Sequence, residues 1–181
     1  MRGQTRQAAT VAVLVAVAVA LIAISSVLPT VRLAFSAVAG VCVAVAVMFF
    51  GLRAGALTYA AAGILSLMIA PAKGTAVFFI VFFGLYALLK SLIERLKKLW
   101  LEWVLKLAAF NGILALAVFF SEALLISDML PTAEALPFAW LLPLLWVLAN
   151  GVFVIYDIGL SQLLARLYRL LAPIVEKGGG Q

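Results

Sequence analysis

The chain contains no histidine. Imidazole is a frequent general base and metal ligand, so Ser-His triads, other His-based acid–base chemistry and His-ligated metals are excluded. Cys42 is the single cysteine, and no intrachain disulfide can form. Inside an apolar run it reads as a small hydrophobe. Charge is also scarce: 11% of residues are charged and 67% are hydrophobic, whereas soluble domains lie near about a quarter charged and half apolar. There is no P-loop, which rules out ATP hydrolysis by that route. The alternating segments of a membrane β-barrel are missing too.

What is present comes in apolar blocks of about 20 residues, long enough to cross a ~30 Å hydrocarbon core as helix. The expected fold is an all-α polytopic membrane protein, a single integral membrane domain over residues 1–181. Six spans are expected, at about 8–28, 31–50, 54–70, 75–90, 104–127 and 138–159. A charged helical segment, 90–103, forms an amphipathic elbow between spans four and five, and an amphipathic tail covers 161–176. The first apolar run exceeds the length of a signal-peptide core and is read as a retained helix.

Lysine and arginine set the expected orientation. Arg2, Arg6, Arg53, Lys90, Arg95, Lys97, Lys98, Lys106, Arg166, Arg169 and Lys177 fall on one side, against Arg32 and Lys73 on the other. That side is expected to be cytoplasmic, with both termini there and the chain in the cell membrane. The net charge of +6 follows from this bias, so no nucleic-acid partner is needed to explain it.

Ala8, Ala12, Ala16 and Ala20 recur every four residues along the first span. Small residues at that period let helix backbones approach in lipid. The stripe is read either as packing inside the bundle or as a docking face for another membrane protein. Gly51 with Gly55, and Ala108 with Gly112, repeat the theme. In the elbow, Lys90, Glu94, Lys97, Lys98, Glu102 and Lys106 fall on one helical face, with Glu94–Lys98 and Glu102–Lys106 as i,i+4 pairs. Leu92, Ile93, Leu96, Leu99, Trp100 and Trp103 fill the rest, as in a helix lying in the interface plane.

Ionisable residues at membrane depth are expensive and mark function. Glu122, in the outer part of span five, is expected either to line an outward-facing pocket with Arg32 or Lys73 or to take up a structural ion pair or an interfacial position. Trp140 and Trp146 are candidates to stack on a ligand, Trp140 also fitting an aromatic belt. Asp157 needs a cation or water at the inner end of span six. Asn111 and Asn150 are polar groups within spans. The substrate-binding candidates are therefore Arg32, Lys73, Glu122, Trp140 and Trp146. No catalytic constellation, metal site or cofactor site is expected.

Six spans in 181 residues, cytoplasmic termini and the alanine stripe on the first helix resemble the S component of energy-coupling factor (ECF) transporters. The segment PAKGTAVFFIVFFGLYALLKSLIERL looks like stretches in bacterial relatives of such proteins. The resemblance implies a non-enzymatic subunit that binds a small solute, such as a vitamin, near the outer face. It implies docking through Ala8, Ala12, Ala16 and Ala20 on a transmembrane T component with two ATPases, and toppling in the lipid as they cycle. The absence of histidine sets this chain apart from the cobalt and nickel branch. The alternative is a membrane assembly protein without a solute, whose core would be filled by side chains.

Overall fold

A computed structural model describes residues 2–121, 123 and 140–177. Among them, six helices are long and apolar enough to cross a membrane. They are α1 (Arg2–Val27), α2 (Arg32–Phe50), α3 (Leu52–Ile69), α4 (Lys73–Leu96), α5 (Leu99–Phe119) and α6 (Leu141–Lys177). No strand occurs among the described residues. The chain is an all-α, multi-pass membrane protein. Exposed Val13, Leu57, Ile64, Met68, Leu148 and Ile155 give its spans the apolar outer surface that lipid accepts.

Each break between helices has a local cause. Proline disfavours helical backbone in the residue before it, and Pro29 follows the end of α1, opening a short 3-10 turn, Pro29–Val31. Pro71 follows Ala70, which is extended at ψ 130°. Between α2 and α3 the link is Gly51 alone, at φ 84° and ψ 176°, a region that side-chain-bearing residues avoid. Its N–H reaches Val47 O at 2.9 Å, completing the α2 cap.

Helices α2 and α4 are central. In the apolar window of each, 44% of residues are buried, against 17% for α5 and 11% for α6. Val15, Ala18, Val19 and Ile22 of α1 pack with Ala39 and Val43 of α2, Ala62 of α3 and Phe79 of α4. Ala8, Ala12, Ala16 and Ala20 lie beside that buried stripe and are all exposed. The bundle therefore leaves their small-residue face unused.

α4 is not uniform. A π-helical turn, Phe79–Gly84, separates an α-helical start from an α-helical end, Leu85–Ile93. Such turns widen the ring of backbone hydrogen bonds and often occur at functional sites. This one is held from both sides. Tyr59 Oη of α3 donates to Ile80 O at 3.1 Å. From α2, Gly40 approaches so closely that a Cβ there would sit 3.0 Å from Phe83 O.

Three expectations on helix ends are corrected. The charged segment 90–103 is not one surface helix. α4 runs on to a 3-10 turn, Glu94–Leu96, and Lys97 turns the chain in a left-handed conformation at φ 53°. α5 begins at Leu99 rather than 104 and its helix runs to Phe119; residues 122 and 124–127 of the expected span lie outside the described residues. The tail 161–176 continues α6 without a break, so one helix of 37 residues runs from Leu141 to Lys177. Polarity changes where the chain leaves lipid, but nothing there stops the helix.

Gly51 yields the first prediction. Nothing lies within 4 Å of a Cβ built there, so Gly51→Ala meets only a backbone penalty. A loss of about 1–3 kcal/mol is expected, read as a lower unfolding midpoint in detergent. An unchanged midpoint would contradict the single-residue link.

Candidate functional site

Two features lie between α4, α5 and α6, one toward each end of the bundle. The first is a buried ionic cluster at the Lys90 end, centred on Asp157 of α6. The Asp157 side chain is 3% exposed, those of Lys90 and Lys106 3% and 6%. Charges at such depth are tolerated only when paired and hydrogen-bonded. Lys106 Nζ of α5 donates to Asp157 Oδ2 at 2.9 Å. Tyr86 Oη of α4 donates to Asp157 Oδ1 at 2.6 Å, and Lys90 Nζ donates to the same oxygen. Glu94, 42% exposed, closes the network, 2.6 Å from Lys90 and 2.9 Å from Lys106. Two ammonium groups thus face two carboxylates, and the cluster is neutral.

Lys90 Nζ also donates to Ser161 Oγ at 2.7 Å. A serine beside a lysine suggests a nucleophile and its base. Here the geometry opposes it. Lys90 Nζ donates to Asp157 and Ser161 and lies 2.6 Å from the Glu94 carboxylate, and Ser161 Oγ donates to Asp157 O at 2.9 Å. The arrangement clamps three helices and offers no free base.

Toward the other end, α5 and α6 continue to face each other in antiparallel register. Phe110 stacks on Phe153, with centroids 4.3 Å apart and planes 12° from parallel. Next come Asn111 and Asn150, whose amides exchange hydrogen bonds at 2.7 and 3.1 Å. Trp146 Nε1 donates to Asn111 Oδ1 at 2.6 Å. Every side-chain polar atom of this triad finds a partner, as burial in lipid demands.

The second feature is a cavity of about 390 Å³ above the ionic cluster, in the half of the bundle that carries Arg32 and Lys73. The π turn and its flanks supply Phe78, Phe82, Phe83 and Tyr86 from α4. α5 contributes Phe110, Leu114 and Val118, and α6 contributes Trp146, Phe153 and Tyr156. Leu33 of α2 lies at its edge. Among the described residues, no charged side chain lines it. Tyr86 belongs to both features, its ring in the wall and its hydroxyl on Asp157.

Of the five binding candidates, Trp146 lines the cavity. Arg32 opens α2 next to Leu33, half-buried, but is not in the wall. Lys73 is exposed at the start of α4, its Nζ donating to Met68 O at 3.2 Å. Trp140 is 63% exposed, just before α6. Glu122 lies outside the described residues. Lys90 and Lys106 are corrections: both turn into the bundle instead of forming a solvent-facing stripe, because Asp157 needs them there. The signal was Asp157 itself, a lone acid in the apolar run VFVIYDIGL, which requires cations from other helices.

The cluster carries an unequal prediction. Asp157→Asn leaves two buried ammonium groups with only the half-exposed Glu94 carboxylate between them and is expected to cost about 3–5 kcal/mol. Glu94→Gln removes a partner that solvent already screens and is expected to cost less than about 1 kcal/mol. Unfolding midpoints of the two variants in the same detergent check this, and equal losses would contradict the central place of Asp157.

Compared with family models, with curated proteins and with solved structures, the chain matches none, so the reading of this site rests on its own residues.

Proposed function

We propose that the chain is the solute-binding membrane subunit of a multicomponent importer of the ECF type. The observation that carries this reading is the cavity of about 390 Å³, which falls in the size range of small-molecule sites. An assembly protein without a solute needs no such space. The excess of Lys and Arg at the opposite end makes that end cytoplasmic by the positive-inside rule. The cavity then lies in the outer half, where an importer's capture site belongs. Both termini are cytoplasmic in this reading.

Docking is the second part of the proposal. The exposed alanines of α1 offer a close-approach face to a T-type membrane partner, which carries the ATPases that this chain lacks. The subunit itself performs no chemistry. Its ionic cluster holds α4, α5 and α6 together while the solute is carried.

Affinity purification of the full chain from its native membrane, in mild detergent, tests this. The wild type is expected to bring down a T-type membrane protein and paired ATPases. In Ala12→Leu/Ala16→Leu, overpacking of about 1–3 kcal/mol per site is expected to lower their recovery by roughly tenfold or more. If wild type and variant both come down alone, under conditions that preserve a known transporter complex, the importer reading is wrong.

A further inference from the structure

We infer that a second cavity, at the Lys/Arg-rich end of the bundle, is a site for one phospholipid with an anionic, hydroxyl-bearing headgroup, and that Arg169 of α6 holds its phosphate. The inference is independent of the importer reading, which rests on the other cavity.

This cavity, of about 660 Å³, lies between α2, α4 and α6. The helix ends set its level. Val47 and Met48 line it from the last turn of α2, and Glu94 from the point where the α-helical part of α4 closes. Helices that cross the hydrocarbon turn back at the headgroup layer, so the space lies at headgroup depth. Tyr168 of α6 also lines it and stacks on Phe49, with centroids 5.8 Å apart and planes 16° from parallel. Tyrosine is enriched at that level.

The wall has an apolar and a charged part. Val47, Met48 and Leu164 are half-buried and offer a surface to the first methylenes of an acyl chain. Lys90, Glu94 and Arg169 are the charged lining residues. Lys90 and Glu94 belong to the neutral cluster with Lys106 and Asp157, so Arg169 is the surplus charge. Its Nε donates to Ala165 O of its own helix at 3.3 Å, and among the described residues its guanidinium makes no ion pair. The side chain is exposed, within reach of a ligand. A guanidinium fork matches two phosphate oxygens, and basic pockets between spanning helices on the cytoplasmic side suit anionic headgroups. Arg53, Arg95, Lys97, Lys98 and Arg166 are exposed at the same end but do not line the cavity. They enrich anionic lipid nearby without holding it.

The remaining polar groups select the headgroup. Ser91 Oγ spends its hydrogen on Leu88 O at 2.7 Å, so toward the cavity it can only accept. The Glu94 carboxylate also only accepts. Two acceptors suit the hydroxyls of a glycerol headgroup. Choline has no N–H or O–H to give them.

Native mass spectrometry of the full chain in mild detergent tests this, with dioctanoyl phosphatidylglycerol, dioctanoyl phosphatidylcholine and glycerol phosphate as probes. One saturable phosphatidylglycerol adduct is expected, with phosphatidylcholine weaker by about fivefold or more. Arg169→Gln is expected to weaken the adduct by roughly tenfold. Arg166→Gln removes the same charge from the same helix outside the wall and is expected to weaken it by less than about twofold. Ala165→Trp keeps every charge, fills the space, and is expected to weaken it as much as Arg169→Gln. Equal affinity for the two lipids overturns the headgroup class. Equal losses in Arg166→Gln and Arg169→Gln, or no loss in Ala165→Trp, reduce the binding to surface attraction and overturn the site. Displacement of the lipid by an equal concentration of glycerol phosphate assigns the site to a free phosphate and overturns the lipid. None of these outcomes bears on the importer reading.

Discussion

A carboxylate buried in a membrane must find positive charge, and Asp157 finds it on two other helices. Its partners Lys90 and Lys106 come from α4 and α5, 67 and 51 residues away in sequence. The rest of the α4–α5–α6 arrangement follows from that meeting. Once Lys106 lies against Asp157, antiparallel register sets Phe110 against Phe153 and Asn111 beside Asn150. With Lys90 and Tyr86 on the same carboxylate, the π turn of α4 lies over the Phe110–Phe153 stack, and the space between them is the cavity. The cavity is thus a by-product of where the charges meet.

Two kinds of cohesion coexist in the molecule. Around α2, small residues allow close backbone contact, and dispersion is the main attraction, as is usual in lipid. Around α6, few residues are buried, and specific polar contacts hold the helix. The first kind depends on shape over many residues. The second depends on a few atoms, so it is sensitive to single substitutions and leaves room between helices. A binding space is more easily kept in the second region than in the first.

The fold was legible because lipid imposes a length on apolar runs and because Pro29, Gly51 and Pro71 mark three reversals. The need of Asp157 for a cation could also be read. Its partners could not, because Lys90 and Lys106 sit among other charges whose spacing imitates a surface helix. Local periodicity does not reveal a pairing 67 residues apart. Trp146 stood out as a deep tryptophan and does line the cavity. The π turn is silent in FFIVFFG, whose apolar residues suit either helix type.

The unbroken length of α6 has a mechanical consequence. Asp157, pinned by two other helices, divides it into two arms. One arm, reaching to Leu142 at the cavity, spans about 23 Å, and the other, reaching to Lys177, about 30 Å. A helix without a break transmits rotation, so the pinned carboxylate acts as a fulcrum. A push on the Arg166 and Arg169 side, about 14–18 Å from the pivot, swings Trp146, about 17 Å the other way, by a similar distance in the opposite direction, while Tyr156 beside the pivot stays nearly still. Anything that grips the tail is therefore geared to the cavity wall, with no need for contact between the two.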